Sequence, residues 1–302
     1  MSALICGSLA FDTITNFHGR FREQILPEQI HILNVSFLVP TLRREFGGCA
    51  GNIAYSLKLL GGEPLVMASL GADGLEYLDR LRGWDVSTEF VRTIGESYTA
   101  QAIIMTDADN NQITAFHPGA MQFAHQTAVQ PRSDIRLAII APDGRDAMLL
   151  HAEQLAAAGI PFVFDPGQGL PMFNGDELRR FVSQATWVAV NDYEAKLLCE
   201  RTGQDLAELS RSHLQGIVVT LGSQGCEVWA GGEKHHVPGV PASAVVDPTG
   251  CGDAFRGALL YGLERGWDLV RCAELGNRVG AIKIACSGPQ NHSFDRAALG
   301  LA

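Results

Sequence analysis

Lysine is scarce in this chain of 302 residues, which contains only Lys58, Lys196, Lys234 and Lys283. No Gly-Lys dipeptide occurs, and this excludes the glycine-rich loop with a phosphate-binding lysine of the Walker-type NTPases. No Gly-x-Gly-x-x-Gly follows the first apolar run, which disfavours a dinucleotide-dependent enzyme of the usual kind. Any phosphate site in this protein must therefore rely on backbone amides, metal ions or arginine.

Positive charge is also in deficit, because 23 Lys and Arg residues face 33 Asp and Glu residues and give a formal net charge of −10. This balance disfavours nucleic acid and anionic membranes as partners, since both attract an excess of basic side chains. With 46% hydrophobic and 19% charged residues, the composition is typical of a globular protein with a sizeable core. The partner we expect is a small molecule.

Cysteine pairs and long apolar runs are missing as well. The seven cysteines form an odd set without a Cys-x-x-Cys pair, so neither a disulfide framework nor a zinc knuckle is indicated. No segment reaches the roughly 18 apolar residues that cross a bilayer, and the first residues carry no basic, apolar secretion signal. We therefore predict a cytoplasmic protein without a membrane span.

Short apolar runs bounded by Gly, Pro or Asp alternate with stretches of helical length and period. The apolar runs cover residues 3–6, 64–70, 137–141, 161–164, 187–190 and 217–221. The helical stretches include residues 52–60, 75–81, 193–200 and 254–263. Because the strands are apolar on both faces, the pattern predicts an α/β sandwich with a mostly parallel central sheet.

Two stretches, residues 13–46 and 98–116, break this rhythm. The first offers no convincing helix, and its residues 31–39 look extended; the second has two extended runs around a turn-rich segment. We predict that the two pair into a small β-sheet lid. The core then comprises residues 1–12, 47–97 and 117–302. An ordinary edge extension is the alternative to a lid, and we expect a monomer or a homodimer that associates through the lid.

The clearest candidate site is DPTGCGDAF at residues 247–255, directly before a predicted helix. The small residues Gly250, Cys251 and Gly252 let the backbone approach a charged oxygen, and the helix N-terminus supplies free N–H groups and a positive dipole end. Asp253 at this position can act as the general base that takes a proton from a substrate hydroxyl. A plain glycine-rich turn, with Asp253 as an ordinary first-turn carboxylate, is the alternative.

A second glycine-rich turn, GGCAGN at residues 47–52, precedes another predicted helix. Gly47 and Gly48 would let main-chain amides reach a ligand, and Asn52 offers a donor and an acceptor for a hydroxyl group. An ordinary turn before a helix is the alternative explanation of this segment.

The two turns together, in this order, resemble the two signatures of the PfkB carbohydrate kinases, which are the ribokinase-like kinases. The resemblance covers essentially the whole chain. It implies a ribokinase-like three-layer α/β/α sandwich with a mostly parallel central sheet and a small β-sheet lid, and a reaction that uses ATP and Mg²⁺. Asp253 is then the catalytic base, and residues 250–252 supply the anion hole.

The same resemblance implies roles for side chains elsewhere. Asp12, shortly after the first strand, matches a residue that binds sugar hydroxyls. Asn191 and Glu194 match the NxxE motif, which organises Mg²⁺ and the transferring phosphates, although the same pair would also cap a helix. Nucleotide contacts are implied at Asn191, Glu194, Thr220, Gly222, Gly225 and Asn277. Asp247 matches part of a monovalent-cation site, so activation by K⁺ stays open.

These features predict an ATP-dependent nucleoside kinase, adenosine kinase-like and broad for purine nucleosides, that phosphorylates the 5′-hydroxyl. Apolar side chains in and after the lid, among them Phe37, Phe116 and Met121, would line a pocket for the base. The competing explanation is that they only pack the lid or a dimer interface. A ribokinase-type sugar kinase is the alternative function. The second alternative is a non-catalytic nucleotide or sugar sensor, against which the presence of Asp253 and Glu194 argues.

Overall fold

Thirteen strands and nine α-helices occur within residues 2–25, 31–32, 34–109 and 111–301, the ranges that the computed structural model describes. The strands are β1 (Ser2–Cys6), β2 (Ala10–Asn16), β3 (Thr41–Gly47), β4 (Pro64–Gly71), β5 (Ser87–Ile94), β6 (Ala100–Thr106), β7 (Gln112–His117), β8 (Ile135–Ile140), β9 (Phe162–Phe164), β10 (Trp187–Asn191), β11 (Gly216–Thr220), β12 (Gly225–Ala230) and β13 (Glu233–Pro238). The helices are α1 (Phe21–Gln24), α2 (Cys49–Leu59), α3 (Leu75–Gly83), α4 (Arg145–Ala157), α5 (Gly175–Gln184), α6 (Asp192–Thr202), α7 (Leu206–Ser210), α8 (Cys251–Glu264) and α9 (Leu269–Lys283). No helix in the described ranges is long and apolar enough to cross a membrane.

The larger of two sheets has the strand order β13-β12-β11-β10-β9-β8-β1-β4-β5. Neighbouring strands run parallel except for the β11–β12 and β12–β13 pairs, which are antiparallel. Side chains alternate between the two faces: Ala3 and Ile5 enter one hydrophobic cluster, and Leu4 and Cys6 enter the other. Helices α2, α3, α8 and α9 contribute to the first cluster, and α4 to α7 contribute to the second. The predicted three-layer α/β/α sandwich is confirmed.

The smaller sheet has the strand order β3-β2-β6-β7. Strands β2 and β6 pair in parallel at its centre, and β3 and β7 flank them in antiparallel pairs. The two stretches that interrupt the sequence pattern therefore meet in one small sheet. The division into a core and a lid at residues 13–46 and 98–116 stays a prediction, and three of the four strands cross those boundaries by a few residues.

The described part of residues 13–46 differs from the sequence-based prediction in two ways. It contains a one-turn helix, α1, which is anchored by the buried side chain of Phe21. The extended-looking residues 34–39 form no strand, and β3 begins only at Thr41. The parts of the predicted lid that lie outside the described residues are 26–30, Leu33 and Asn110.

Candidate active site

A cleft of about 350 Å³ opens at the carboxyl ends of parallel strands, where ligands bind in open α/β sheets. Both glycine-rich turns reach this cleft: Cys49 comes from the first, and Gly250, Gly252 and Asp253 come from the second. Four of the predicted nucleotide contacts also line it, namely Asn191, Glu194, Thr220 and Gly222. The fold thus gathers the two sequence signatures around one cavity.

The first turn of α8 lies at the predicted anion site. Gly250, immediately before the helix, has φ +80°, a left-handed conformation that favours glycine. The amide of Cys251 donates to the Pro248 carbonyl at 3.2 Å and is therefore engaged within the turn. The amides of Gly252 and Asp253 have no partner inside a helix that begins at Cys251, so they can face an anion together with the positive end of the helix dipole.

The Asp253 carboxylate is half-buried beside this turn. Asn52 donates from Nδ2 to Asp253 Oδ2 at 2.8 Å, and Cys49 lines the same cleft. Burial raises the pKa of Asp253 to about 6, and the nearby Asp165 carboxylate adds to this effect. The hydrogen bond from Asn52 and the charge of Arg256 act in the opposite direction. At neutral pH, Asp253 is mostly ionised and is able to accept a proton from a hydroxyl.

A hydrogen-bond network that the sequence did not reveal holds Asn52 in place. Gln290 donates from Nε2 to Asn52 Oδ1 at 2.9 Å and to the Tyr77 hydroxyl at 2.7 Å. The Tyr77 hydroxyl in turn donates to the Gly47 carbonyl at 2.6 Å. A methyl group at Gly51 would overlap the Tyr77 hydroxyl, so the glycine at this position makes room for the network. Both polar groups of Asn52 therefore have partners inside the protein.

Asp12 lies on β2 of the smaller sheet, directly against Gly47. A methyl group at Gly47 would come within 2.6 Å of Asp12 Oδ2, so the missing side chain makes room for the carboxylate. Gly48, at φ +84°, packs on the backbone that leads into β2. Burial raises the pKa of Asp12 to about 6, with further contributions from Glu45 and Asp247. Asp247, which acts on Asp12 in this way, is the first residue of the second glycine-rich turn.

Asn191 and Glu194 form a capping box at the start of α6. Asn191 Oδ1 accepts from the Glu194 amide at 2.7 Å, and Glu194 Oε2 accepts from the Asn191 amide at 2.8 Å. Asn191 Nδ2 also donates to Glu194 Oε1 at 2.9 Å. The helix-capping role is therefore present, and both side chains also line the cleft.

The remaining predicted nucleotide contacts fall into two groups. Thr220, the last residue of β11, and Gly222, at φ +57°, line the cleft. Gly225, at φ +93°, packs instead on the backbone at the end of β13. Asn277, on α9, donates from Nδ2 to the carbonyls of Val237 and Pro238 at 3.3 and 3.0 Å. Their contact with a nucleotide stays a prediction.

The three apolar side chains predicted to contact a base lie at separate places. Phe37 packs edge-on against Phe17 and Phe21, with ring centroids 5.0 and 5.3 Å apart. Phe116, on β7, is 55% exposed, and Met121 is half-buried in the short 3₁₀ turn that follows. The packing of Phe37 agrees with the competing explanation, in which such side chains stabilise the lid. Contact with a base stays a prediction for all three.

A buried ion pair in the cleft was not predicted. Arg256 donates from Nε and Nη2 to the two oxygens of Asp165 at 3.1 and 3.0 Å, and both side chains are only 5% exposed. Among the described residues that line the cleft, Arg256 is the one cation, against four carboxylates. Two sequence signals were available: an acidic residue directly after a predicted parallel strand, and an arginine three residues beyond Asp253 on the same helix face.

The fold and the two assembled signatures define a class of small-molecule kinases. The sequence matches the family described as pfkB family carbohydrate kinase over residues 18–296. Because this match spans most of the chain, the protein belongs to the pfkB family, and the predicted resemblance is confirmed.

Nucleoside kinases are among the similar proteins. The structure of Burkholderia thailandensis nucleoside kinase in complex with inosine is 53% identical in sequence, with coverage of 98% of this chain and 94% of that chain and a TM-score of 0.87. The crystal structure of the Methanocaldococcus jannaschii nucleoside kinase is 26% identical, with coverage of 99% and 96% and a TM-score of 0.89. Ribokinase from Mus musculus is 24% identical over 264 residues, which are 82% of this chain and 80% of the relative. These similarities confirm the ribokinase-like fold.

Proposed function

We propose that this protein is an ATP-dependent nucleoside kinase that transfers the γ-phosphate of ATP to the 5′-hydroxyl of a nucleoside. The observation that carries the proposal is the Asp253 carboxylate beside the opening turn of α8, in a chain that is 53% identical to a nucleoside kinase with bound inosine. Phosphoryl transfer to a hydroxyl requires a general base next to a site that binds the negatively charged phosphoryl group.

Asp253 takes the proton of the attacking hydroxyl. Its pKa of about 6 leaves it ionised at neutral pH, and the hydrogen bond from Asn52 orients the carboxylate. A positioned general base of this kind contributes about 10²–10⁴ in rate.

Asp12 binds the ribose of the acceptor. A carboxylate can accept hydrogen bonds from two neighbouring hydroxyls, which matches the 2′ and 3′ positions of a nucleoside. Asn52 donates to the same ribose with the second hydrogen of Nδ2, since the first is bound by Asp253. Held in this way, the 5′ end of the nucleoside faces Asp253.

The transferring phosphoryl group lies against the amides that open α8, which stabilise negative charge without reorganisation. Arg256 reaches the same turn, because a methyl group at Gly252 would lie 3.7 Å from Arg256 Nη1. Since Asp165 engages Nε and Nη2, Nη1 is the nitrogen that donates to a phosphoryl oxygen.

Mg²⁺ fits the donor set of this cleft. Four carboxylates and one arginine line it, so the negative charge of ATP needs a further cation. Mg²⁺ keeps several water molecules and uses one or two carboxylates together with substrate phosphates. Glu194 and Asn191 would hold the ion through water, because each Glu194 oxygen keeps a lone pair beyond its bond to Asn191. When bound, the ion neutralises charge that develops on the phosphates.

Breadth among purine nucleosides is the specificity we propose, with a role in purine salvage in the cytoplasm. It is supported by the inosine complex of the 53% identical enzyme and by the exposure of Phe116, which leaves one apolar face of the lid open to a base. An aromatic contact with a base is worth roughly 1–3 kcal/mol, which corresponds to about 5- to 150-fold in affinity.

The experiment is a comparison of kcat/KM for inosine, adenosine, guanosine, cytidine and ribose with ATP, with Asp253→Asn as the background control. We expect purine nucleosides to exceed ribose by about 10²-fold, the effect of two base contacts. A value for ribose equal to that for the best nucleoside would leave the ribokinase-type function standing. ATP binding without turnover of any acceptor would favour the sensor.

A further inference from the structure

Lys283, the last residue of α9, has a completely buried side chain. Its Nζ donates to the Asp247 carbonyl at 2.7 Å and to the Cys286 carbonyl at 3.2 Å. Burying an ammonium group is costly unless other groups replace the lost water. Here two carbonyl oxygens and the negative end of the α9 dipole surround it, so the fold provides a site for one positive charge.

This charge acts on the segment that leads to the anion site. Burial alone would raise the pKa of Asp247, but amide donors from Gly288 and Thr249 and the charge of Lys283 lower it below its usual value. The amides of Val246 and Asp247 donate to the Ile284 carbonyl at 2.8 and 3.1 Å. These bonds join residues 246–247 to the chain after α9, and Asp247 lies three positions before Gly250, the residue that precedes α8.

The resemblance to the PfkB kinases implied a monovalent-cation site built partly around Asp247, and the residues present do not fit such an ion. The Asp247 carbonyl is bound by Lys283 Nζ. The Asp247 carboxylate is also engaged, since Oδ1 accepts from the Thr249 amide and Oδ2 from the Gly288 amide, each at 2.9 Å. A cation placed among these oxygens would have to displace the ammonium.

We propose that the Lys283 ammonium is a built-in cation that holds the segment before the anion site, so that this protein needs no K⁺ or other monovalent ion. Lys283 is a positioning residue, because it acts through Asp247 and the turn that follows and does not touch the substrate. The inference rests on the proposed function in the test that measures turnover, and not in the test that measures thermal unfolding.

The first test measures kcat with MgATP and inosine in KCl, NaCl, NH₄Cl and tetramethylammonium chloride at one ionic strength. We expect equal rates for the parent in all four salts. Lys283→Ala should lose about tenfold or more in tetramethylammonium chloride, the usual effect of removing a charged donor, and K⁺ or NH₄⁺ should restore most of the loss. Lys234→Ala, which removes an exposed lysine on β13, is the matched control and should behave as the parent.

The second test measures thermal unfolding in the same salts and does not depend on activity. K⁺ should raise the Tm of Lys283→Ala relative to tetramethylammonium, because an ion that binds only the folded state stabilises it, and the parent should show no such shift. Activation of the parent by K⁺, or a Tm increase of the parent specific to K⁺, would overturn the proposal. A Lys283→Ala protein that responds to no cation in either test would overturn it as well. If Lys283→Ala does not fold, the salt profiles of the parent decide alone.

Discussion

Replacing Asn52 by alanine should move the acid limb of the pH–rate profile to higher pH. Asn52 Nδ2 donates to Asp253 Oδ2 at 2.8 Å and so favours the ionised form of a carboxyl group whose pKa is about 6. A hydrogen bond to a charged group is worth about 1.5–3 kcal/mol, and a change of one pKa unit corresponds to about 1.4 kcal/mol. Loss of the donor should therefore raise the pKa of Asp253 by about one to two units.

The assay is kcat/KM for inosine between pH 5 and 9, since this parameter reports the ionisation of the free enzyme. The parent should lose activity below pH of about 6 and Asn52→Ala below about 7–8, which costs the variant about two- to tenfold at pH 7 beyond the pH-independent loss of its ribose contact. Ser56→Ala is the control, because it removes a buried polar atom one turn further along α2, where the partner is His292. An acid limb of Asn52→Ala that coincides with that of the parent would refute the assignment of Asp253 as the base.

Three further predictions concern other carboxylates. Glu194→Gln should raise the Mg²⁺ concentration for half-maximal rate, because the charge facing metal-bound water is lost; a titration that overlays the parent's would leave Glu194 with its capping role alone. Asp12→Asn should raise the KM for inosine by about tenfold or more without changing that for ATP; equal effects on both substrates would contradict sugar binding. Asp143 is buried, its Oδ2 has no hydrogen-bond partner within the described ranges, and burial raises its pKa to about 8. The folded state thus holds the Asp143 proton more tightly than the unfolded chain does, so the free energy of unfolding should fall as pH rises toward 8. Asp143→Asn should flatten this fall in urea titrations, and an unchanged slope would count against the explanation.

The central sheet was predictable because each buried strand carries an apolar run on both faces, as residues 187–190 do. The glycine-rich turns were also predictable, since small residues directly before a helix let a ligand approach the free amides at its N-terminus. The one-turn helix α1 was not, because four residues carry no periodic signal and α1 is anchored by the burial of Phe21. Residues 34–39 look extended in the sequence but form no strand, because apolar composition does not indicate which segment pairs with another strand.

The supporting contacts of the site escaped the sequence because they join residues that are distant along the chain. Arg256 and Asp165 are 91 positions apart, and Gln290 and Tyr77 are 213 apart. Lys283 at the end of a helix is typical of an exposed, dipole-stabilising residue, and only the fold shows it buried on two carbonyls. Local patterns therefore indicated residues that line the cleft, whereas the contacts between residues distant along the chain required the structure.

The most direct test of the account is the rate of inosine phosphorylation by Asp253→Asn, measured together with inosine binding by calorimetry. The amide preserves the shape of the carboxylate but cannot take a proton, so kcat should fall by about 10²–10⁴ while inosine still binds. Asp146→Asn, which changes an exposed carboxylate on α4, should retain the rate of the parent. An Asp253→Asn protein with activity within about tenfold of the parent would contradict the role of Asp253 as the base, and with it the proposed mechanism.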